Sequence, residues 1–319
     1  MQKPIFLWPE ENIARSIRGW FSHGSAADIE RELGLMFPAG HPVLVSSGRV
    51  GLVIVLESLG LSRPDAVGVF PYASRCVFDA VARVATPSTG TGALNASTRV
   101  VYHQWGYVQD GPIPGQTIVE DAVDSFCVPG AQLFRSGGDF EIWSLSKLIG
   151  SLGGGVVWCR HMDEAVRLRK IRNSRKSSGF QWFLRTMKRF YPPALVYWFG
   201  VESGLGPLSR WGTGEVFLLL SQWSEFIADR KEKLALVSRF KPDWLPLLPD
   251  RLPCVVPVEI NQITADKLVT LGMESGFRHI ERVHPDGNRE LVKVFPLPIH
   301  QGMPRERLGQ AIAILSERH

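Results

Sequence analysis

Three short groups of reactive or hydrogen-bonding residues lie in the first half of the chain. Ser-Ser-Gly occupies 46–48, Glu-Asp occupies 120–121 and Ser-Leu-Ser-Lys occupies 144–147. A lysine amine can act as a nucleophile and a base, and a Ser-Gly turn that begins a helix can bind an anion. Each group alone also has a plain structural explanation, as a helix cap, a strand-end charge or a solvated side chain.

The sequence around these groups alternates between short strand-like runs and longer helical patterns. The strand-like runs are rich in valine and isoleucine, and they lie at 42–45, 66–70, 99–103, 117–121 and 140–144. The helical patterns between the first of them lie at 49–60 and 73–84. Buried strands that alternate with helices predict an α/β fold with a mostly parallel central sheet and helices on both faces.

The pattern changes beyond residue 160. Apolar residues at helical spacing cover 215–239, and four prolines in KPDWLPLLPDRLPC indicate a linker or domain edge near 240–254. PVEI, a turn at PDGN, VKVF and a helix that begins at Pro304 complete the chain. We therefore predict a large domain over 1–239 and a small α+β domain over 240–319.

The composition excludes several classes of protein. The 319 residues are 45% hydrophobic and 21% charged, which excludes a disordered, collagen-like or coiled-coil chain. The four cysteines form no C-x-x-C pair, so they indicate neither a zinc site nor a redox motif and fit a reducing cytosol. Pro9 and the two glutamates after it break the N-terminal apolar run, and no apolar stretch reaches the ~20 residues that span a bilayer. We expect a cytoplasmic protein, soluble or at most peripheral to a membrane.

Five segments, in this order, resemble a known family. They are VLVSSGRVGLVIVLESLGL, VVYHQWGYVQD, TIVEDAVDS, GGDFEIWSLSKLIGSLGGGVVW and VFPLPIHQGMPRERLGQAIAIL. They are similar to successive blocks of the DegT-type sugar aminotransferases, which use pyridoxal 5'-phosphate (PLP) and have the aspartate-aminotransferase fold, fold type I. The similarity extends from about residue 12 to the C-terminus. The resemblance implies a homodimer in which both chains build each active site.

The resemblance assigns the chemistry to two residues. Lys147 matches the lysine that forms the internal aldimine with PLP and then moves a proton between substrate and cofactor. We expect a partly desolvated, cation-adjacent site to lower the pKa of this lysine. Asp121 matches the carboxylate that pairs with the pyridine nitrogen and keeps it protonated. Tyr72, in VFPYAS, is the candidate for the aromatic that covers the cofactor ring, with a core aromatic as the alternative.

The resemblance also implies a phosphate site. Ser47, Gly48 and the amide of Arg49 match the helix N-terminus that binds the phosphate, and Ser144 matches a phosphate-binding serine. The family commonly has threonine where this chain has Arg49. It also commonly supplies an Asn-x-Arg element from the neighbouring subunit, of which only Arg210, in PLSRWG, is kept here. We expect Arg49 to compensate with a bidentate phosphate contact.

Two further residues follow the strands of this region. Asp124 replaces the Gln or His that reaches the phenolic oxygen of PLP in the family. A carboxylate there disfavours the phenolate and raises the aldimine pKa, unless Asp124 turns away to a salt bridge. His103, near the end of another strand, is interpreted as structural, because the spacing of histidines and carboxylates indicates no metal site.

Cationic residues are interleaved with aromatic residues over 160–200. Three interpretations stay open: a surface helix whose aromatic residues pack in a dimer interface, a site for an anionic nucleotide sugar, and a weak contact of 167–199 with anionic lipids. Nucleic-acid binding is the least favoured, because no known module surrounds the segment.

The resemblance implies an aminotransferase that moves an amino group from glutamate or glutamine to a nucleotide-linked keto-sugar by ping-pong half-reactions. Such enzymes serve surface polysaccharide or glycosylated-metabolite pathways. Two alternatives remain: a PLP-dependent sugar dehydratase, which the retained Lys147 opposes because such dehydratases typically carry histidine there, and a non-catalytic PLP-fold protein that acts by binding.

Overall fold

The computed structural model describes residues 4–10, 12–108, 114–179, 205–245, 247–274, 276–284 and 288–317. The strands in these ranges are β1 (His41–Val45), β2 (Ala66–Gly68), β3 (Thr86–Ser88), β4 (Thr98–Tyr102), β5 (Thr117–Asp121), β6 (Phe126–Cys127), β7 (Phe140–Ser144), β8 (Gly155–Cys159), β9 (Arg251–Leu252), β10 (Val255–Val258), β11 (Arg278–Val283) and β12 (Arg289–Pro298). The helices are α1 (Ile13–Trp20), α2 (Ala26–Met36), α3 (Gly48–Ser58), α4 (Arg75–Val84), α5 (Thr91–Asn95), α6 (Leu145–Leu148), α7 (Met162–Asn173), α8 (Arg210–Leu220), α9 (Trp223–Val237), α10 (Gln262–Thr270) and α11 (Arg305–Ser316). None of the helices in the described ranges is long and apolar enough to cross a membrane.

Seven strands form the central sheet in the order β1-β8-β7-β5-β4-β2-β3. The pairs from β7 to β3 are parallel, whereas β8 runs antiparallel to both of its neighbours. The predicted mostly parallel α/β sheet is therefore confirmed. The valine- and isoleucine-rich runs did not indicate two of its strands, because β3 has only three residues and β8 begins at the end of a glycine-rich turn.

Helices cover both faces of this sheet, as predicted. Buried residues of α3, α4 and α7 form one apolar cluster with one face of the sheet, and those of α2, α8 and α9 form a second cluster with the other. Four aromatic rings in mutual contact lie in the second cluster: Phe37, Trp143, Trp158 and Trp223. Burial of such large rings contributes much of the stability of a core.

The C-terminal part builds a second, three-stranded sheet in the order β10-β12-β11. Its apolar side packs with α10 and α11 in a cluster that also includes Val237 and Ile5. Pro304 is the N-cap of α11, as predicted. The helical spacing over 215–239 is confirmed and belongs to two helices, α8 and α9. The division into domains at 239/240 remains a proposal.

The carboxyl ends of β1, β4, β5 and β7 lie at one edge of the central sheet. Because β8 is antiparallel to both β1 and β7, β1 runs in the same direction as β7 and the parallel strands beyond it. The three residue groups at the carboxyl ends of β1, β5 and β7 are therefore brought together. In open α/β sheets, ligands bind at this edge.

Candidate active site

A cavity of about 620 Å³ opens at this edge of the sheet. Its walls include seven of the eight predicted site residues, namely Ser47, Gly48, Arg49, Tyr72, Asp121, Ser144 and Lys147. The eighth, Asp124, lies behind the wall and binds the Lys147 amine. The volume is in the range of cavities that hold cofactors and small substrates.

The N-terminus of α3 forms one wall of the cavity. The Ser47 hydroxyl oxygen caps the helix by accepting a hydrogen bond of 3.2 Å from the Val50 amide. A Cβ atom on Gly48 would lie 3.1 Å from Val123, so glycine lets the helix terminus pack closely against the turn that follows β5. The positive end of the helix dipole and the half-buried Arg49 side chain make the wall suitable for an anion.

The glycine-rich turn after Lys147 packs against the same helix terminus. The Gly154 amide donates to the Ser46 carbonyl at 2.7 Å, and the φ angle of Gly154 is 103°, in the left-handed region that favours glycine. A Cβ on Gly155 would lie only 2.4 Å from the Ser47 carbonyl carbon. These glycines bring the lysine-bearing segment close to the Ser47 turn.

Asp121 ends β5 with its side chain almost completely buried. Its Oδ1 accepts from the Val123 amide at 3.4 Å. Burial raises the pKa of Asp121 to about 6, although the positive charge of Lys147 opposes that shift. A buried carboxylate without a tightly bound cation is well suited to hold the protonated nitrogen of a bound ring.

Lys147 projects from α6 into the cavity, with 28% of its side chain exposed. Its Nζ donates to Asp124 Oδ1 at 3.0 Å and lies 4.5 Å from the centroid of the Trp8 ring. Burial alone lowers the pKa of Lys147, but the negative charge of Asp124, with a smaller effect from Asp121, outweighs it and raises the pKa. The prediction of a cation-adjacent lysine with a lowered pKa is therefore wrong, because the neighbours of the amine are acidic groups.

The Asp124 carboxylate is fully buried and held from two sides. Lys147 donates to Oδ1, and the Tyr102 hydroxyl donates to Oδ2. Burial and the negative charge of Asp124 raise the pKa of Tyr102 well above its ordinary value, so this hydroxyl keeps its proton and remains a donor. Asp124 does form the predicted salt bridge, but the bridge is directed towards the reactive lysine rather than away from it.

His103 lies behind the site, fully buried next to Asp121. Its Nε2 is 2.8 Å from Glu120 Oε2, and its amide donates to the Asp121 carbonyl at 2.9 Å. Glu120 Oε1 accepts from the amides of Ser136 and Gly138, each at 2.9 Å. The histidine is absent from the cavity wall, which favours the structural interpretation.

The remaining predicted residues lie as follows. Tyr72 is 55% exposed and its ring centroid is 5.4 Å from that of His279, so Tyr72 lies on the cavity wall and not in the core. The Ser144 hydroxyl is 3.1 Å from that of Ser146. Arg210 is exposed at the start of α8 and does not line the cavity of its own chain, so its predicted role across a dimer interface stays a prediction.

The phenylalanine, tyrosine and tryptophan residues of the basic segment all lie between 180 and 200, outside the described residues. In the described part, Arg169 and Arg172 both bind Glu30, with N–O distances of 2.8 and 2.7 Å. These two cations join α7 to α2 and are not directed at a ligand. The interface, substrate and lipid interpretations stay predictions.

Several wall residues were not indicated by the sequence. Four of them belong to the large part of the chain: Trp8, Cys76, Tyr102 and Trp105. Three belong to the region of the second sheet: Phe277, Arg278 and His279. Trp105 has a φ angle of 58°, an unusual left-handed conformation for a bulky residue. Tyr102 and Trp105 lie in the family-like segment VVYHQWGYVQD, which gave neither residue a role. The other positions carry no motif, and the cysteine spacing gave no reason to place Cys76 beside Lys147.

Residues 29–192 match the family model described as "Putative PLP-dependent aminotransferase", which is just over half of the chain. The chain belongs to this family. PLP is therefore its cofactor, and the chain is a PLP-dependent aminotransferase. A search of curated proteins found no match.

Solved structures of aminotransferases share the fold over almost the full length. DesI, determined in the presence of its TDP-sugar product, is 16% identical with a TM-score of 0.65 over 99% of this chain and 93% of DesI. PseC from Helicobacter pylori is 12% identical with a TM-score of 0.66 over 99% of both chains. A DegT DnrJ EryC1 StrS aminotransferase from Brucella abortus is 14% identical with a TM-score of 0.63 over 96% of both chains. The resemblance to DegT-type enzymes is confirmed at the level of the fold.

The residues of the cavity fit PLP as the aminotransferase family requires. The α3 terminus offers the positive end of a helix dipole in the cavity wall for the phosphate, Asp121 offers a buried carboxylate for the pyridine nitrogen, and Lys147 offers a primary amine. The three groups have the chemistry that the three ends of the cofactor need.

Replacement of Arg49 by threonine tests the expected phosphate contact. We expect Arg49→Thr to raise the Kd of PLP about tenfold or more, since a hydrogen bond to a charged group contributes roughly 1.5 to 3 kcal/mol. Titration of the cofactor-free aminotransferase with PLP, followed by visible absorption, measures the effect. Arg75→Thr is the matched control, because the Arg75 side chain is 93% exposed outside the cavity. Equal affinity of Arg49→Thr and the wild type would refute the contact.

Replacement of Asp124 by asparagine tests its effect on the lysine nitrogen. The carboxylate stabilises positive charge on Nζ, so we expect the visible band of the lysine-bound cofactor to stay constant across neutral pH in the wild type. In Asp124→Asn the pH midpoint of this band should fall by about 1 to 3 pH units. Spectra over a pH series, with the partly exposed Asp139→Asn as control, measure the midpoint. A wild-type band that already titrates near neutrality, or an unchanged midpoint in the variant, contradicts the expectation.

Proposed function

We propose that this aminotransferase moves an amino group from glutamate or glutamine to a keto-sugar carried by a nucleotide. The observation that supports the substrate class most strongly is the shared fold over 99% of the chain with DesI, which was determined with a TDP-sugar product. A cavity of about 620 Å³ with the aromatic side chains of Trp8, Tyr72 and Phe277 in its walls is consistent with a substrate that contains a sugar ring.

PLP supplies an electron sink that stabilises negative charge on the carbon that bears the amine. The Asp121 carboxylate keeps the pyridine nitrogen protonated, and its burial excludes water from that contact. Lys147 would hold the cofactor through Nζ. Its amine, when free, would be placed to take the proton from the donor carbon and to deliver a proton to the sugar carbon in the second half-reaction.

Asp124 and Tyr102 position the lysine for these steps. Nζ must lose a proton before it acts as a base, and Asp124 Oδ1 at 3.0 Å is the adjacent acceptor. The Tyr102 hydroxyl, bonded to the other carboxylate oxygen, keeps Asp124 directed towards Nζ. We further propose a cytoplasmic homodimer that serves polysaccharide or glycosylated-metabolite synthesis.

A panel of amines tests the substrate class. The PLP-loaded enzyme is mixed with nucleotide-linked amino sugars, the same sugars without the nucleotide, and amino acids, and the visible band is followed. We expect at least one nucleotide-linked amino sugar and glutamate or glutamine to bleach the band, and a keto acid to restore it. If only amino acids bleach the band, the protein is an amino-acid aminotransferase and the proposed substrate class is wrong. No response to any amine would favour the non-catalytic alternative.

A further inference from the structure

The N-terminal segment 4–10 reaches the cavity beside the reactive lysine. Leu7, Trp8 and Pro9 all line the wall, and the Trp8 ring centroid is 4.5 Å from Lys147 Nζ. Since Nζ is the atom around which the chemistry takes place, the indole lies within contact distance of the reacting part of a substrate. The sequence resemblance to the family begins at about residue 12 and gives Trp8 no role.

Backbone contacts to the second sheet region fix this segment. The Ile5 amide donates to the Gly272 carbonyl at 2.8 Å, and the Leu7 amide donates to Glu274 Oε2 at 3.0 Å. The Leu7 side chain is buried in an apolar cluster against which Trp8 packs. Trp8 is therefore held from the side of the small sheet and not only by its contact with the lysine.

The other end of the segment contacts the loop that follows α6. A Cβ atom on Gly150 would lie 3.2 Å from Pro9 Cβ and 3.1 Å from the Glu10 carbonyl oxygen. Arg15, in the next helix, donates to the Gly150 carbonyl at 2.9 Å. Contacts on both sides of Trp8 therefore fix the position of its ring relative to Lys147. A residue that discriminates between substrates needs such a fixed position.

The Trp8 side chain offers two kinds of recognition. The side chain is half-buried in the cavity wall with Lys147 Nζ over its ring, and within the described ranges no side chain or carbonyl accepts a hydrogen bond from its Nε1. An indole face packs well against the C–H groups of a sugar ring, and the N–H can donate to a sugar hydroxyl. An amino-acid donor has no such ring.

We propose that Trp8 is a specificity residue that binds the sugar ring of the acceptor substrate and contributes little to the binding of the amino-acid donor. This inference rests on the proposed function. It adds a named contact for the sugar, supplied by a segment far in sequence from the catalytic lysine.

The proposal is tested by measuring KM in both half-reactions for the variants Trp8→Ala and Trp8→Phe. We expect Trp8→Ala to raise KM for the nucleotide sugar about tenfold and to leave KM for the amino acid within about twofold. Trp8→Phe, which keeps a ring face, should recover most of the loss. Trp244→Ala is the matched control, because Trp244 packs against the same apolar cluster but does not line the cavity. Calorimetric binding of a nucleotide sugar that lacks a reacting group should show the same pattern in Kd.

The outcomes separate two failures. If the wild type converts a nucleotide sugar and Trp8→Ala leaves its KM unchanged, or raises both KM values equally, the assignment of Trp8 is overturned while the proposed function stands. If the wild type converts no nucleotide sugar, the proposed function fails, and the assignment of Trp8 fails with it.

Discussion

Replacement of Lys147 by alanine should lower the rate of the amino-acid half-reaction at least about a thousandfold. The substitution removes both the nitrogen that holds PLP and the base that moves the proton. It also leaves the buried Asp124 carboxylate without its cation. We therefore expect PLP to bind more weakly and the visible band of the lysine-bound form to be absent. Single-turnover bleaching by glutamate or glutamine measures the rate, and an absorption spectrum after addition of PLP reports the attachment.

Lys267→Ala is the control for this experiment. The Lys267 side chain is 51% exposed and pairs with Glu317 far from the cavity, so its loss should leave both the rate and the spectrum unchanged. Circular dichroism of Lys147→Ala checks that the fold is retained. A Lys147→Ala protein that still turns over at a rate near that of the wild type would remove Lys147 from the chemistry.

Replacement of Asp121 by asparagine should lower activity at least about a hundredfold and at the same time stabilise the cofactor-free protein. Activity falls because the amide cannot keep the pyridine nitrogen protonated. Stability rises because burial raises the pKa of Asp121 from 3.8 to about 6, so its ionisation at neutral pH destabilises the folded state. The shift corresponds to about 2 to 3 kcal/mol of unfolding free energy.

The sign of the pH dependence follows from the raised pKa. In the wild type, the stability associated with protonated Asp121 is fully present below the unfolded-state value of 3.8 and is lost as the pH rises through about 6. The stability gain of Asp121→Asn should therefore be present at pH 7 and absent near pH 4. Urea unfolding of the cofactor-free protein at the two pH values measures it. Asp79→Asn, 59% exposed on α4, is the control. A gain that is equal at both pH values would show that the charge of Asp121 is not its cause.

The fold and the centre of the site could be predicted because they depend on local sequence. Runs of valine and isoleucine mark buried strands, and parallel strands bring their carboxyl ends to one edge. For this reason the Ser47 turn, Asp121 and Lys147 were placed together correctly although 100 residues separate the first from the last.

The charge around the lysine could not be predicted in this way. The sequence places Asp124 three residues beyond Asp121, but the direction of its side chain depends on Tyr102, which lies on the neighbouring strand β4. Cys76 acts on the pKa of the lysine from α4. The pattern of apolar residues does not encode these side-chain directions, and the predicted pKa shift of Lys147 was wrong as a result.

The outer part of the cavity depends on contacts between distant parts of the chain. Trp8 is positioned by a bond from Leu7 to Glu274, which spans 267 residues, and Arg278 and His279 enter the wall from the second sheet. Such packing follows from how the N-terminal segment and the small sheet meet, and a single sequence carries no periodic signal for it. The residues of the outer cavity wall are therefore the ones that only the structure identifies.

Reductive trapping tests the central claim, that Lys147 is the residue that holds PLP, most directly. The wild-type enzyme is loaded with PLP, reduced with borohydride and digested, and the peptides are weighed by mass spectrometry, with Lys147→Ala treated in parallel. We predict one peptide that carries the mass of the reduced cofactor at Lys147, and no labelled peptide from the variant. A label on another lysine, or an unlabelled wild type, would contradict the assignment of the site.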